Sequence, residues 1–351
     1  MEAFVQLRVV AVEYRAAFPM VYRLLYALVG WCRALYFSRI SLQNLPEDWQ
    51  KNVDPYRPRM LCANHPSSFL DAVLVASFLS FPLGFLGRGD AFTPRFGKFL
   101  RRHFHMMPVW RHREGYANVH RNYETFDEAN RYWSKGGSLI IFSEGLCVQE
   151  WKLRPLPKGS ARMVWNAFQE GLDLEIVPVG INYEHFNGPG KTADIRFGDT
   201  VMASQLMQRF QEDSFAEEGR LRETVFLLRF NRWLEKELRA LVVHASSQAV
   251  ACGLEGSTGN TASPLQPTRN RSWLVASTRL LHAPYYFPLK AWCKKACRDT
   301  VHYDAVLFAI LMLTYPLFLM VLAISLVKVF GWMGILALVL WPVSAFFSRY
   351  A

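Results

Sequence analysis

The sequence predicts an α/β domain that has an interfacial helix on its N-terminal side and a two-helix membrane hairpin on its C-terminal side. From about residue 57 to 200, short apolar runs alternate with amphipathic stretches, which is typical of α/β domains. Residues 18–40 are apolar and aromatic but contain two arginines. Near the C-terminus, Ala305–Val327 and Val329–Phe347 are uncharged. These observations divide the chain into a globular part and a membrane part.

The N-terminal region, residues 1–45, is predicted to lie along a membrane surface. Arg23 and Arg33 interrupt its apolar stretch, and an arginine at the centre of a bilayer costs about 3 kcal/mol. A helix in the interface, with its arginines reaching the lipid headgroups, avoids that cost. An ordinary amphipathic helix packed on the domain fits the same pattern equally well.

Residues 46–243 form the predicted α/β domain. The apolar runs predict buried strands at Met60–Ala63, Leu83–Leu86, Met106–Trp110, Ser138–Phe142 and Glu175–Ile181. Helical patterns occupy Phe69–Leu79, Pro94–Arg102, Tyr116–Trp133, Gly159–Phe168 and residues 219–243.

The remainder of the chain divides into three parts. Residues 244–272 are rich in Ser, Thr, Gly, Asn and Pro and predict a flexible linker. A basic juxtamembrane segment, 273–304, precedes the hairpin at 305–347, whose first uncharged run of 23 residues is long enough to span a bilayer. Because the flanking segments are more basic than the turn, the positive-inside bias places the globular domain on the cytoplasmic side of a cytoplasmic membrane. A shallow re-entrant hairpin and a pair of buried core helices are the alternatives.

The formal charge of +11 fits anionic lipids, phosphorylated substrates or nucleic acid. Eight Lys and Arg residues lie between Arg88 and Arg121, inside the globular domain. No zinc-finger, RNP or basic-zipper pattern is present, so nucleic acid is not an expected partner. The six cysteines are scattered, without the spacing of a zinc site or a disulfide framework. We therefore expect reduced thiols and no zinc site of this kind. No bound cofactor is expected.

The first chemical motif is Asn64–Asp71, which contains His65 and Asp71 between a predicted strand and a predicted helix. Histidine can accept a proton near neutral pH, and a carboxylate such as that of Asp71 can fix its tautomer. Alone, the two residues fit a capping or core role at least as well.

The second motif is Phe142–Gly145, where Glu144 and Gly145 follow a predicted strand. Open α/β sheets bind ligands at the carboxyl ends of their strands. Downstream, Arg154 and Lys158 precede a predicted helix and suggest an anion site. A solvated basic loop is the alternative for these two residues.

The third motif is Pro108–Arg111, another short strand that ends in an arginine. Arg111 can bind phosphate through two parallel hydrogen bonds. Arg88 begins the same basic stretch and is a further candidate for substrate binding. Surface salt bridges are the alternative for these arginines.

In this order, the motifs resemble the glycerol-phosphate and lysophosphatidate acyltransferase family. That family has a His and an Asp separated by four residues, an arginine block, a Phe-Pro-Glu-Gly block and a Val-Pro strand. Here the corresponding blocks are Asn64–Asp71, Pro108–Arg111, Phe142–Gly145 and residues 176–180, and the resemblance extends over roughly residues 20–240.

The resemblance implies an enzyme that transfers a fatty acyl group from acyl-CoA or acyl-carrier protein to the hydroxyl of glycerol-3-phosphate or lysophosphatidate, without a metal. His65 would be the general base and Asp71 its orienting partner. Arg111 and Glu144 would position the acceptor, with Arg111 on its phosphate. A membrane with anionic lipids is then an expected partner.

The sequence departs from the family pattern in two places. Five residues separate His65 from Asp71 instead of four, and Ser143 replaces the usual proline. We expect Pro66 to absorb the extra residue, because proline is tolerated at a helix start. A nucleophilic role for Cys147 is an alternative mechanism. Acylation of an amino lipid or sugar lipid, and a non-catalytic lipid-binding protein, are alternative functions.

Overall fold

The computed structural model describes residues 20–51, 54, 56–110, 121–212, 222–243, 273–298, 300–331, 341–342 and 344. The helices are α1 Met20–Tyr36, α2 Asp48–Lys51, α3 Phe69–Ala76, α4 Pro94–Phe104, α5 Asn122–Trp133, α6 Gly159–Gln169, α7 Ala203–Glu212, α8 Glu223–Leu241, α9 Trp273–Ala296 and α10 Tyr303–Phe330. The strands are β1 Phe37–Gln43, β2 Arg59–Ala63, β3 Leu83–Arg88, β4 Met106–Val109, β5 Ser138–Phe142, β6 Glu175–Tyr183, β7 Lys191–Phe197 and β8 Val201–Met202.

All these strands join one mixed sheet in the order β1-β7-β6-β2-β5-β3-β4, with β8 pairing to β6. The five strands from β6 to β4 are parallel to one another, whereas β7 is antiparallel to β6. Parallel strands have their carboxyl ends at one edge of the sheet, so the loops after β2, β3, β4 and β5 meet there.

The sheet lies between two helical layers, so the predicted α/β class is confirmed. One apolar core contains buried residues of α1, α3 and α10, and the other contains buried residues of α5, α6, α7 and α8. Strand β2 is buried along its whole length. The carboxyl edge of the sheet is therefore built on a rigid central strand.

The five predicted strands are present, but β1, β7 and β8 were not predicted. Residues 37–40, predicted as the end of a helix, instead begin strand β1, which pairs with β7. The long-range pairing overrides the local helical pattern there.

Helix α1 packs against the domain. Tyr22, Val29 and Tyr36 are buried, and Arg33 donates to the Ser77 carbonyl at 2.8 Å. The expectation that both arginines reach lipid headgroups is therefore wrong for Arg33. A membrane contact of α1 through its exposed side remains a prediction.

Helix α10 is long and apolar enough to cross a membrane, although length and composition alone are weak evidence. Only 22% of its most apolar stretch is buried in the protein, so it does not resemble the core helix of a soluble domain. Exposed apolar side chains continue along it, at Leu313, Leu317, Met320, Val321, Ile324 and Val329.

The other predicted parts at the C-terminal side are described only partly. Helix α9 occupies much of the predicted basic juxtamembrane segment. Most of the second uncharged run lies outside the described residues, as does the predicted linker 244–272. Oγ of Ser344, which the structure does describe, lies 3.0 Å from Nε2 of His282 on α9.

Candidate active site

The sheet edge brings together residues that are far apart in the sequence. His65 follows β2, Arg88 ends β3, Trp110 follows β4, and Glu144 follows β5. Because these four strands are parallel neighbours, the strand ends that carry the three motifs meet at one edge, where the sequence had placed Glu144. Arg111 itself lies outside the described residues.

His65 and Asp71 form the central pair of this edge. Nδ1 of His65 lies 2.9 Å from Oδ2 of Asp71. Since a carboxylate can only accept, Nδ1 carries the hydrogen and Nε2 keeps its lone pair. The His65 side chain is 17% exposed, whereas that of Asp71 is fully buried. The arrangement is that of a general base whose partner fixes its tautomer.

Two further donors hold the Asp71 carboxylate. The backbone N–H of Ser67 donates to Oδ2 at 2.7 Å, and the hydroxyl of Tyr183 donates to Oδ1 at 2.9 Å. With the bond from His65, this gives a buried carboxylate three hydrogen bonds. A carboxylate bonded in this way is held firmly in one orientation.

Within the segment between His65 and Asp71, the unusual backbone conformation lies at Ser68, and the expected role of Pro66 stays a prediction. Ser68 precedes α3 with φ 57° and ψ −145°. This backbone region is otherwise populated almost entirely by glycine and costs on the order of 1–3 kcal/mol. Ser68 Oγ lies 2.7 Å from Nδ1 of His302, at the start of α10.

The loop that carries His65 is fixed from both sides. The Asn64 side chain continues the pairing of β2 with β6, because it accepts from the Ile181 N–H at 2.7 Å and donates to the Ile181 carbonyl at 3.0 Å. The His65 ring stacks on Phe142 of β5, with centroids 3.9 Å apart. The imidazole therefore has little rotational freedom.

Glu144 joins two loops of the site. Its Oε2 accepts from the His65 N–H at 3.3 Å and its Oε1 from the Arg154 N–H at 3.1 Å. Burial raises the pKa of Glu144, while these two hydrogen bonds oppose the increase. The carboxylate therefore organises the loop backbone, and its predicted contact with the acceptor stays a prediction.

Gly145 and Ser143 shape the turn on either side of Glu144. Gly145 has φ +64°, a conformation that favours glycine. Ser143, which stands where the family has proline, accepts from the Ser160 hydroxyl at 2.9 Å. Because Ser160 lies in the first turn of α6, this bond attaches the turn to that helix.

The predicted cationic residues have different surroundings. Arg154 pairs with Glu150 at 3.4 Å, and Arg88 pairs with Asp90. Lys158 is exposed at the start of α6. Arg111 lies outside the described residues, although the preceding Trp110 is fixed by hydrogen bonds of 2.9 and 2.8 Å with Asn122.

Two backbone amides that could stabilise an oxyanion are engaged in other hydrogen bonds. The Ser67 N–H donates to Asp71, and the Ser68 N–H donates to Sγ of Cys147 at 3.0 Å. Both amides therefore have protein acceptors in this structure. The same bond places the Cys147 sulfur against the loop backbone.

Four residues around His65 and Asp71 were not predicted. Tyr183 ends a strand that the sequence identified, yet nothing in the sequence pointed to its hydroxyl. Lys191 and Asp304 form a fully buried ion pair. An acid at the start of a long apolar helix is the one signal that could have drawn attention to Asp304, and His302 has no comparable signal.

Two comparisons with known proteins gave matches, one to a family model and one to a solved structure. The family model described as "Acyltransferase" matches residues 43–182, a range that contains all four sequence blocks. Among solved structures, the chain is similar to the 1-acyl-sn-glycerophosphate (LPA) acyltransferase PlsC from Thermotoga maritima, with 14% identity and a TM-score of 0.38, over 68% of this chain and 82% of that chain. No curated protein gave a match.

Proposed function

We propose that this chain, whose residues 43–182 match the model of the acyltransferase family, transfers a fatty acyl group from acyl-CoA or acyl-carrier protein to a glycerol-phosphate acceptor. Glycerol-3-phosphate and lysophosphatidate are the acceptors proposed, so the reaction belongs to phospholipid biosynthesis. The observation that carries the proposal is the 2.9 Å bond from His65 to the buried Asp71 at the carboxyl edge of the sheet.

In the proposed reaction, Nε2 of His65 removes the proton of the acceptor hydroxyl as its oxygen attacks the thioester carbonyl. The new C–O ester bond forms and the C–S bond breaks. The leaving thiolate then receives the proton from the imidazolium and departs as a thiol. Asp71 stabilises the imidazolium while it exists. Proton transfer of this kind contributes about 10²–10⁴-fold to the rate.

The acceptor phosphate is proposed to bind Arg111, with Arg88 and the basic residues after Glu144 nearby. Phosphate binding holds the hydroxyl next to Nε2 and makes the attack effectively intramolecular, a contribution of comparable size. Support comes from the sheet: Arg88 ends β3 and Trp110 follows β4, both at the edge that carries His65. Arg154 and Lys158 follow in the loop held by Glu144.

The membrane is proposed as the source of the acceptor and the destination of the product. Helix α10 supports this, since its apolar side chains are largely exposed. The basic residues before it, including Lys290, Lys294, Lys295 and Arg298, would face anionic headgroups on the cytoplasmic side. Each such charge contributes about 1 kcal/mol near an anionic surface.

The direct test is thiol release from acyl-CoA or acyl-carrier protein by the full-length protein in lipid vesicles, with glycerol-3-phosphate or lysophosphatidate added. We expect thiol release that depends on the acceptor and is abolished by His65→Ala, while the circular dichroism spectrum is retained. Near-normal activity of His65→Ala would contradict the base assignment. Activity with amino or sugar lipids alone, or insensitivity to Arg111→Ala, would favour another acceptor. Complete inactivity would favour a lipid-binding role.

A further inference from the structure

The segment Val301–Asp304, which leads into α10, lies against the loop that carries the catalytic pair. Oγ of Ser68 and Nδ1 of His302 are 2.7 Å apart, and the Gln149 side chain donates to the Val301 carbonyl at 3.3 Å. More than 230 residues separate Ser68 from His302 in the sequence. The contact is therefore a tertiary one, made by the apolar C-terminal part of the chain.

Ser68 has an unfavourable backbone conformation that other contacts must stabilise. Its φ of 57° and ψ of −145° are unfavourable for a residue with a side chain. Such a conformation persists only where the surroundings determine it, and the bond to His302 is part of those surroundings. Ser68 is also adjacent to Ser67, whose N–H holds the carboxylate of Asp71.

Asp304 fixes the same segment through a second set of contacts. Its carboxylate pairs with Lys191 and accepts from the Tyr36 hydroxyl at 2.5 Å and the Gly188 N–H at 2.8 Å. Asp304 and Lys191 are both fully buried. A buried ion pair with this many hydrogen bonds specifies one position for the first turn of α10.

Lys191 extends this contact to the catalytic carboxylate. Its ammonium lies 4.6 Å from the centroid of the Tyr183 ring, and the Tyr183 hydroxyl donates to Asp71. Two chains of contacts therefore run from one short segment into the catalytic pair. One passes through His302 and Ser68, and the other through Asp304, Lys191 and Tyr183.

The surroundings of His302 agree with this placement. Burial lowers the pKa of its imidazole, and the neighbouring charges of Arg88 and His65 lower it further. His302 therefore lies near the residue proposed as base and near a predicted phosphate ligand.

We propose that Val301–Asp304 is part of the active site, with His302 and Asp304 as positioning residues that hold the Ser68 loop and the Asp71 carboxylate. The inference rests on the proposed acyl transfer, because the residues it positions are those of that reaction. It extends the proposal by making the seating of α10 a condition for an assembled base. An enzyme built in this way works only when its apolar helix is docked beside the sheet edge.

The test compares His302→Leu, which removes the ring nitrogen, with His302→Asn, whose amide can replace Nδ1 opposite Ser68. Ser68→Gly supplies the background, because glycine adopts this backbone conformation without the side-chain contact. We expect His302→Leu to lower kcat about tenfold, the size of one lost hydrogen bond, with KM changed less than about twofold. His302→Asn should keep most of the activity, and His302→Leu should have little further effect in the Ser68→Gly background.

A second readout does not need activity. The N–H groups of Ser67, Ser68 and Asp71 are all hydrogen-bonded, so hydrogen exchange in a peptide spanning 64–76 reports on the loop. We expect faster exchange there in His302→Leu than in the wild type or His302→Asn. Unchanged exchange and unchanged kcat in His302→Leu would overturn the inference and leave the proposed function standing. A wild type that releases no thiol would contradict the proposed function, and the exchange rates would still decide the inference.

Discussion

The hydroxyl of Tyr183 donates a 2.9 Å hydrogen bond to Oδ1 of Asp71, the carboxylate oxygen that His65 does not use. Tyr183 ends β6, and Asp71 lies in the first turn of α3. The bond therefore ties the orientation of the Asp71 carboxylate to the sheet. Both side chains are buried, which makes each dependent on the other for its hydrogen bond.

Replacing Tyr183 by phenylalanine tests this dependence. The change leaves one oxygen of a buried carboxylate without its donor, which costs about 1–3 kcal/mol. We expect kcat for thiol release to fall about tenfold or more, while KM changes little because the substrate sites are intact. Tyr123→Phe on α5, where the side chain is 67% exposed, is the matched control and should behave as wild type. Equal activity of the two variants would mean that Tyr183 does not orient Asp71.

Replacing Asp71 by asparagine tests the tautomer of His65. An asparagine amide turned to donate towards Nδ1 would favour the tautomer with its hydrogen on Nε2, which is the atom that must accept a proton. In this orientation the amide oxygen takes the place of Oδ1 and still accepts from Tyr183, while the Ser67 N–H loses its acceptor. We expect the fold to survive the loss of this one hydrogen bond. We expect a loss of about 10³–10⁴-fold in kcat, as for other histidine bases with a misdirected tautomer. A loss below tenfold in steady-state kinetics would show that the carboxylate is not needed for this purpose.

The central part of the fold was predictable because its strands carry strong local signals. Strands β2, β5 and β6 are short, apolar and bounded by polar loops, so their carboxyl ends could be placed from the sequence. Strands β1 and β7 were missed because charged residues such as Arg39 and Lys191 interrupt their apolar residues. These two segments are strands because they pair with each other.

The site divides in the same way. His65, Asp71 and Glu144 follow recognisable strands, so their convergence followed from the topology of parallel strands. Ser68 could not be identified, because the residue that its side chain contacts, His302, lies more than 200 residues away in the sequence. Long-range contacts of single side chains leave no periodic pattern in a sequence.

Position 145 is predicted to require glycine, because its backbone has a positive φ. Gly145 has φ +64°, and an added Cβ would lie 3.4 Å from Cγ of Pro157, so space is available but the conformation is unfavourable. We expect Gly145→Ala to lower the free energy of unfolding by about 1–2 kcal/mol, measured by urea denaturation. Gly159→Ala at the start of α6 is the matched control, since no atom lies within 4 Å of its Cβ and its φ is ordinary. A Gly145→Ala protein as stable as this control would contradict the prediction.

The stability of the protein should depend on pH through His302. Burial, with the charges of Arg88 and His65, lowers the pKa of this imidazole in the folded chain. The unfolded chain therefore binds the proton more readily, and the free energy of unfolding falls as the pH decreases through the unfolded pKa of about 6.5 towards the lower folded pKa. His302→Asn removes this contribution, so its advantage over the wild type should grow between about pH 7 and pH 5. The free energies of unfolding are measured by denaturation at several pH values. A difference between the two proteins that stays constant across this range would refute the prediction.

Removing one partner of the buried pair Lys191 and Asp304 is predicted to lower the free energy of unfolding more than removing both charges. Burial lowers the pKa of Lys191 and the charge of Asp304 opposes this, so each charge depends on the other. Lys191→Met leaves an isolated buried carboxylate and should lower the free energy of unfolding by about 3–5 kcal/mol. Adding Asp304→Asn removes that charge but keeps an oxygen for Tyr36 and Gly188, so more than half of the loss should be recovered.

An exposed pair provides the scale for this comparison. Arg239 and Glu235 on α8 are 55% and 37% exposed, and Arg239→Met should cost no more than about 1 kcal/mol. If Lys191→Met costs no more than Arg239→Met in the same denaturation experiment, Asp304 does not depend on the charge of Lys191, and the prediction is wrong. If the double variant is no more stable than Lys191→Met alone, the lysine acts mainly through packing against Tyr183. If the double variant is as stable as the wild type, the loss in Lys191→Met comes from the uncompensated charge of Asp304, because both variants carry the same methionine.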